Sequence, residues 1–386
     1  MDTLITNVTA VTMTPGTEVL FGVNIGITDG KIEFISKKVP EEMPKTIIEG
    51  TGMVAMPGLI NCHTHLATSV LRCFTDDLTN KEALEVLLQK EAKMDSRSAK
   101  AAALLSIAEC LRFGVTSVSD LYYYPNATAQ AVAESGIKAN LALSSYRYID
   151  QNEEFDFETD EQCRELQKVV DKWHGYDNGR IKIDAGIFAE YTSNYPLWES
   201  LAGFASEKGL GMQLHLSETR NEVDSCLDRT GMTLSAAKNG QPCAPITDLV
   251  KAGMNVALGT DGAIQAGNLD MFEVMRGAAM SVRASKGDPS ALPSSAALMM
   301  ATFCGAQAQG RAQECGMLKE GMDADLVLVD FTAPHLMPCH NVLTGLVYAA
   351  KGGDVAMTMV RGNILYQNGR FPTIDLNAVV EELTTY

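Results

Sequence analysis

The central part of the chain alternates short apolar segments with helical ones, and this alternation constrains the fold more than any other feature. The apolar candidate strands are residues 59–62, 115–121, 139–144, 181–188, 211–216 and 256–259. Helical segments at residues 98–112, 161–173, 196–208 and 269–284 separate most of them. The pattern predicts βαβ units around a parallel sheet. In such a sheet, polar residues at the carboxyl ends of the strands are the candidates for chemistry.

Both ends of the chain have a different pattern, in which apolar and polar residues alternate. The segments VNIGITDG and KIEFIS near the start resemble ADLVLVDF and VAMTMVRGN near the end. Asp29-Gly30 and Asn368-Gly369 are typical of tight hairpin turns. We therefore expect short strands at both ends, meeting in one small β domain.

Composition excludes several classes of function. The formal net charge is −17, which argues against nucleic acid and anionic membranes as partners, because phosphate attraction needs an excess of Lys and Arg. No apolar run approaches the roughly 20 residues of a membrane span. The nine cysteines are an odd number without CxxC spacing, and no secretory leader is evident, so we expect reduced thiols in a cytoplasmic protein.

The placement of three histidines and one aspartate indicates a metal site. His63 and His65 follow the apolar strand GLIN, and residues two apart on a strand point the same way. His215 ends another strand, in MQLHLSET, and Asp261 follows VALGT. A hydrogen-bonded core histidine and a helix N-cap are the alternative interpretations of His215 and Asp261. Together, three imidazoles and a carboxylate suit Zn²⁺ or Fe²⁺ with one position left for water, whose pKa the metal would lower.

Longer motifs carry a family resemblance. MPGLINCHTHLATSVLR, GVTSVSDLY, HLSETRNEV, VALGTDGAIQAGNLDMFEVMR and GMDADLVLVD follow one another in this order. On these motifs the chain resembles the amidohydrolase superfamily, specifically its methylthioadenosine/S-adenosylhomocysteine deaminase and chlorohydrolase branch. The resemblance implies an α/β fold: a (β/α)8 TIM-type barrel over residues 57–317, plus a composite β-sandwich domain from residues 1–56 and 318–386.

The resemblance also implies roles for particular residues. It assigns metal ligation to His63, His65, His215 and Asp261, and makes Asp261 the proton shuttle for the attacking water. Glu218 would protonate the ring nitrogen as a general acid; a solvated loop acid is the alternative. Because GIFAEYT lacks the lysine that bridges two metals in binuclear relatives, we expect one divalent metal, Zn²⁺ before Fe²⁺.

The chain departs from the family pattern in two places. Phe188, in FAEYT, stands where relatives carry a histidine that contacts the substrate. In addition, only about 40 residues separate His215 from Asp261, where relatives place two further βαβ units of ~30 residues each. We therefore expect an internal deletion and a barrel that lacks about two strands after strand five.

Two functional hypotheses follow. The first is a metal-dependent aminohydrolase that deaminates a small nitrogen heterocycle, an adenine nucleoside such as S-adenosylhomocysteine or methylthioadenosine, with Arg147 contacting a substrate carboxylate or ribose. A surface charge is the alternative reading of Arg147. The second hypothesis is a degenerate, catalytically impaired homologue that binds metal or oligomerises without turnover. A homo-oligomer is left open under both.

Overall fold

Strands from both ends of the chain pair with one another in the computed structural model, which describes residues 1–38, 40, 43–74, 77–78, 80–149, 155–216 and 246–384. The strands are β1 (Thr3–Val11), β2 (Val19–Thr28), β3 (Lys31–Ser36), β4 (Thr46–Glu49), β5 (Met53–Pro57), β6 (Leu59–Thr64), β7 (Val115–Tyr122), β8 (Lys138–Leu143), β9 (Ile181–Ala189), β10 (Met212–His215), β11 (Leu326–Asp330), β12 (Val355–Val360) and β13 (Asn363–Gln367). They include the segments expected from the alternating patterns near both ends.

The described α-helices are α1 (Asn80–Glu91), α2 (Ser96–Arg112), α3 (Pro125–Ser135), α4 (Glu161–Trp173), α5 (Tyr176–Gly179), α6 (Tyr195–Lys208), α7 (Ile246–Lys251), α8 (Ala263–Ala266), α9 (Met271–Lys286), α10 (Ser294–Met300), α11 (Phe303–Ala308), α12 (Val342–Tyr348) and α13 (Leu376–Thr384). Short 3₁₀ segments occupy Leu66–Leu71, Pro334–Leu336 and Gly352–Asp354. The helices predicted at residues 98–112 and 161–173 are confirmed as α2 and α4. None of the described helices has the length and apolarity needed to cross a membrane.

The terminal strands form a sheet in the order β13-β12-β11-β5-β1-β2-β3, with β4 beside β1. The join between the two ends of the chain is the antiparallel pair β5·β11, in which Pro57 lies opposite Leu326 and Met53 opposite Asp330. Apolar side chains of this sheet form their own buried cluster, which includes Ile5, Ile25 and Met357. The two β-rich ends therefore depend on each other for their core.

The middle of the chain forms a parallel sheet in the order β10-β9-β8-β7-β6 among the described residues. Every residue of β7 and β8 is buried, as expected for parallel strands that are covered on both faces. Helix α4 buries Leu166, Val170 and Trp173 on one side, at the three- and four-residue spacing of an amphipathic helix. The predicted mixed α/β fold with a parallel sheet is confirmed.

The sixth predicted strand, residues 256–259, is not a regular strand, although it lies beside β6. The Cys62 N–H donates to the Leu258 carbonyl (2.9 Å), and the Asp261 N–H donates to the His63 carbonyl (3.0 Å). The Leu258 N–H turns away to the carbonyl of Met300 (3.2 Å), and Asp261 has a left-handed φ of 67°. These two features interrupt the ladder that the apolar pattern predicted, because a parallel ladder needs extended residues with regularly paired N–H groups.

A buried charged cluster joins the two sheets. We call Lys138, Asp323, Asp325 and Arg361 the Lys138 cluster. The Lys138 side chain, at the start of β8, is fully buried and lies 2.8 Å from an Asp323 oxygen and 2.5 Å from an Asp325 oxygen. The Arg361 Nε donates to Asp323 (3.0 Å), and the Arg361 backbone N–H donates to Asp325 (2.8 Å). The amino end of the parallel sheet is thereby fixed to the strands from the chain's end.

Candidate metal centre

The spacing of His63 and His65 brings both imidazoles to the carboxyl end of β6. His63 lies within the strand, and His65 follows it directly, before the 3₁₀ turn of residues 66–71. The two ring centroids are 4.9 Å apart. The Nδ1–H of His65 donates to the carbonyl of Leu121 on β7 (2.6 Å). That bond directs Nε2 of His65 away from the strand, towards His215.

His215 is the last residue of β10, on the far side of the described parallel sheet from β6. Its ring centroid is 5.0 Å from that of His63 and 5.1 Å from that of His65, so the curl of the sheet brings the two distant strands together. The Nδ1–H of His215 donates to the Phe188 carbonyl on β9. One nitrogen from each histidine lies within 4.8 Å of the others, an arrangement that can hold a metal ion.

The tautomers of His65 and His215 fit a cation between them. Because each Nδ1 faces a backbone carbonyl, which can only accept, each Nδ1 carries the proton and each neutral ring leaves a lone pair on Nε2. These two Nε2 atoms are 3.2 Å apart. Two ligands of a tetrahedral zinc at about 2.0–2.1 Å from the ion would lie about 3.3–3.4 Å apart. Two lone pairs at this distance repel each other unless a cation lies between them.

The surroundings of the histidines favour their neutral, ligating form. Burial lowers the pKa of His63 to about 3, and the neighbouring His65 contributes in the same direction. Burial, and then His215, lower the pKa of His65 to about 3. Metal ions bind the neutral imidazole, so the protons that would compete with a metal at neutral pH are already disfavoured.

Asp261 completes the group from the segment beside β6. Its Oδ1 atom is 3.4 Å from His65 Nε2 and 3.8 Å from His63 Nε2. Buried Asn61 holds this segment in place: its Nδ2 donates to Thr260 Oγ1 (2.7 Å), and its Oδ1 accepts from the Thr260 backbone N–H (3.0 Å). The alternative reading of Asp261 as the N-cap of α9 is wrong, because Asp270 caps that helix by accepting from the Phe272 N–H.

The glycines of the GTDG motif allow this segment to approach the histidines. A Cβ atom on Gly259 would lie 2.6 Å from the His63 backbone nitrogen, and one on Gly262 would lie 2.6 Å from Thr68 Oγ1. Contacts this short with backbone do not occur in folded proteins, so a side chain at residue 259 would push Asp261 away from His63. The close packing of the site therefore requires glycine at residue 259 of this motif.

The other predicted residues have different positions. Glu218 lies outside the described residues. Arg147 follows β8 and pairs with the buried carboxylate of Asp160, which also caps α4. The lysine of the same strand as Phe188, Lys182, was not among the predicted ligands; it lies at the amino end of β9, where it binds Glu314 (2.9 Å).

Sequence reasoning missed the groups that orient the ligands. Asp120 and Leu121 both lie on β7, within the GVTSVSDLY motif. The Asp120 carboxylate accepts from the Leu66 N–H (2.6 Å), and burial raises the pKa of Asp120 to about 7. A backbone carbonyl such as that of Leu121 leaves no trace in a residue pattern; the position of GVTSVSDLY in the next strand was the available signal.

The fold and the candidate metal centre define a class, the metal-dependent hydrolases built on a parallel α/β barrel. The sequence profile of the amidohydrolase family matches residues 54–240 and 231–365. A 5'-deoxyadenosine deaminase of Methanosarcina acetivorans is 34% identical over 427 aligned positions, covering 100% of this chain and 97% of the relative. A 5-methylthioadenosine/S-adenosylhomocysteine deaminase of Moorella thermoacetica is 33% identical and covers 88% of both chains. The chain belongs to the amidohydrolase family.

Solved structures agree with this assignment. An adenosine deaminase from Xanthomonas campestris with bound zinc has a TM-score of 0.90 and 25% identity, covering 100% of this chain and 97% of that one. An atrazine chlorohydrolase of Arthrobacter aurescens complexed with zinc has a TM-score of 0.88, covers 99% of both chains and is 22% identical, so it supports the fold alone. The predicted family and its general fold are confirmed.

Proposed function

We propose that this protein is a metal-dependent deaminase of an adenine nucleoside, in which water replaces the exocyclic amino group of the ring and ammonia leaves. The observation that carries the proposal is the convergence of His63, His65, His215 and Asp261 from distant parts of one sheet. The deaminase relatives from Methanosarcina and Moorella support an adenine nucleoside as the substrate. The hydrolase class itself follows from membership of the family.

The three histidines and Asp261 would hold one divalent cation, which we propose to be zinc because of the donor set and the zinc-bound structural relatives. The cation supplies Lewis-acid activation of a water molecule at neutral pH. The Asp261 carboxylate, which accepts from the Gly262 N–H (2.6 Å), would take a proton from that water and deliver it to the departing amine. Glu218 would donate a proton to the ring nitrogen next to the attacked carbon.

Ammonia release from 5'-deoxyadenosine, 5'-methylthioadenosine and S-adenosylhomocysteine by the zinc-loaded protein tests this proposal. We expect turnover with at least one of them, and a loss of about 10²–10⁴-fold in kcat for Glu218→Gln, the size of a general acid's contribution. Glu207→Gln, on an exposed position of α6, is the matched control and should leave kcat unchanged. A protein that binds about one zinc per chain without releasing ammonia from any of the three would favour the degenerate homologue instead, a hypothesis that the comparisons do not support.

We further propose that the barrel lacks about two strands after β10, through an internal deletion. Three observations support this. The alignment with the Methanosarcina relative extends over 427 positions, whereas the chain has 386 residues. The family profile matches in two parts that overlap at residues 231–240. In the described residues, β6–β10 and the segment beside β6 account for six of the strand positions of a barrel.

Two further proposals concern the division of the chain into domains and its location in the cell. We propose the domain division at residues 56/57 and 317/318, which the β5·β11 pairing supports, since both strands belong to the sheet of the terminal segments. We also propose a cytoplasmic location, which the free cysteines among the described residues support. A homo-oligomer stays open.

A further inference from the structure

Three aromatic side chains form a continuous series of ring contacts between two of the candidate metal ligands, His65 and His215. The ring of His65 is 6.0 Å from Tyr122, and Tyr122 is 4.9 Å from Tyr123. Tyr123 stacks on Phe188 at 6.1 Å with an interplanar angle of 17°, and Phe188 lies 5.3 Å from His215. Rings of β7 and β9 thus continue the site away from the histidines.

Two further tyrosines extend this series of ring contacts towards solvent. Tyr146 is 5.4 Å from Tyr123, and Tyr191 is 6.5 Å from Phe188. Tyr146 is 55% exposed and Tyr191 51% exposed, while Tyr123 and Phe188 are half-buried. We call Tyr123, Tyr146, Phe188 and Tyr191 the aromatic wall. It presents apolar ring surface from the candidate metal centre outwards.

The charges next to the aromatic wall disfavour an anion. Arg147 follows Tyr146 in the chain, and its guanidinium pairs with the buried carboxylate of Asp160, which balances its charge. Glu91 accepts a hydrogen bond from Tyr122. Burial, and then the charge of Glu91, raise the pKa of Tyr123. Among the described residues, the charge identified next to Tyr123 is that of Glu91, which is acidic, so a carboxylate brought here would lose hydration without gaining a cationic partner from this group.

We infer that the aromatic wall selects adenine nucleosides whose 5' substituent is uncharged and apolar, and disfavours a 5' substituent that carries charged groups, such as the carboxylate and ammonium of homocysteine. This inference rests on the proposed function. The flat ring stacks with ring surface such as that of Phe188, and an apolar 5' group packs on the exposed tyrosines. Stacking between a base and an aromatic side chain needs only the flat π-face of the base. Removing one stacking ring weakens binding by roughly tenfold.

Two measurements test the inference for 5'-methylthioadenosine and S-adenosylhomocysteine: kcat/KM by ammonia release from the zinc-loaded protein, and Kd by calorimetry on its Glu218→Gln variant, in which turnover is slow. We expect 5'-methylthioadenosine to be favoured by about tenfold or more in both. Tyr146→Ala should reduce this preference by roughly tenfold, whereas Tyr146→Phe, which keeps the ring, should retain it. Tyr176→Ala, which removes an exposed ring at the amino end of β9, is the control for losing a surface tyrosine and should also retain the preference.

Tyr146→Arg provides an independent variant, because it adds a cation at an exposed position without emptying the core. It should shift the preference towards S-adenosylhomocysteine. Equal kcat/KM for the two nucleosides in the unaltered protein, with equal Kd in Glu218→Gln, would overturn the inference while leaving the deaminase proposal intact. A third outcome is that neither nucleoside releases ammonia, but 5'-methylthioadenosine binds with a lower Kd than S-adenosylhomocysteine and Tyr146→Ala removes this difference. That outcome would overturn the deaminase proposal and support the role of the aromatic wall.

Discussion

At the scale of single residues, the candidate metal centre was predictable where side-chain chemistry and spacing coincide. His63 and His65 are two apart on a strand, and this spacing alone places both rings on one side. Asp261 was predicted from its place after an apolar segment, although its left-handed backbone was not. The carbonyls of Leu121 and Phe188 were missed because every residue carries a carbonyl. Which of them meets a histidine depends on strand register, which the residue pattern does not specify.

The close approach of Gly259 to His63 leads to a prediction at this scale. Gly259→Ala introduces a Cβ atom 2.6 Å from the His63 backbone nitrogen, so the segment carrying Asp261 must shift. We expect zinc binding to weaken by about 10–100-fold, the range seen when groups that orient metal ligands are lost. Zinc affinity is measured by competition with a chelating dye.

Gly277→Ala is the matched control for this substitution. Gly277 lies inside α9, and a Cβ there would meet nothing within 4 Å. Alanine should therefore stabilise the helix by about 0.5–1 kcal/mol and leave zinc affinity unchanged. If both variants bind zinc like the unaltered protein, the glycines of GTDG have no part in shaping the site.

At the scale of elements, helices with strong periodicity and clear ends were predicted closely, and contacts between distant elements were not. Helix α4 occupies the predicted residues because an amphipathic pattern and an Asp160 cap are local features. The Lys138 cluster was not predicted, because a lysine at the start of an apolar strand gives no sign of two aspartates 185 and 187 residues away. Ion pairs between residues far apart in the chain follow no periodic sequence pattern, so a residue pattern does not predict them.

Removing the lysine of this cluster should destabilise the fold strongly. Lys138→Met leaves the buried carboxylates of Asp323 and Asp325 without their shared partner, and breaking a buried pair in this way costs about 3–5 kcal/mol. The free energy of unfolding from urea titration measures the effect. Lys100→Met, which removes a solvent-exposed pair with Glu134, should cost no more than about 1 kcal/mol. Similar losses in the two variants would contradict a special role for Lys138.

The same cluster predicts a dependence of stability on acid. Burial alone would raise the pKa of Asp323, but Lys138, Lys31 and Arg361 outweigh it and lower the pKa to about 2. Because the folded pKa is below the unfolded value of about 3.9, Asp323 contributes its stability fully above about pH 4 and loses it as pH falls through 2. Urea titrations at several pH values from 5 to 2 should therefore show a smaller decline for Asp323→Asn than for the unaltered protein. An equal decline would assign the acid sensitivity to other groups.

At the scale of the whole molecule, the family resemblance predicted the general fold, while the sheet beyond β10 stays a proposal. Local patterns identified β6 to β10 and the helices that follow most of them. They could not say how the sheet closes, because closure links strand number, tilt and register across the entire sheet. On β10 and just after it, Met212, Leu214 and Leu216 are 38%, 45% and 45% exposed.

These exposed apolar side chains predict a tendency to aggregate. Apolar residues on an accessible strand favour association with other chains, and a lysine on such a strand opposes it. We expect Leu214→Lys to raise the onset temperature of aggregation measured by light scattering. Met280→Lys, which adds the same charge at an exposed position of α9, controls for net charge. If both lysines change the onset equally, the strand has no particular role.

The pairing of β5 with β11 has a consequence for how the molecule is made. Met53–Pro57 are translated early, but the strand that pairs with them, Leu326–Asp330, follows about 270 residues later, a delay of roughly 15–50 seconds at ribosomal speed. During that interval one edge of β5 lacks its partner strand, and Lys138 is synthesised 185 and 187 residues before its two aspartates. The nascent chain therefore carries an incomplete sheet through most of its synthesis and a lysine without its aspartate partners through about half of it. The two sheets can be joined only after the last strands have been made.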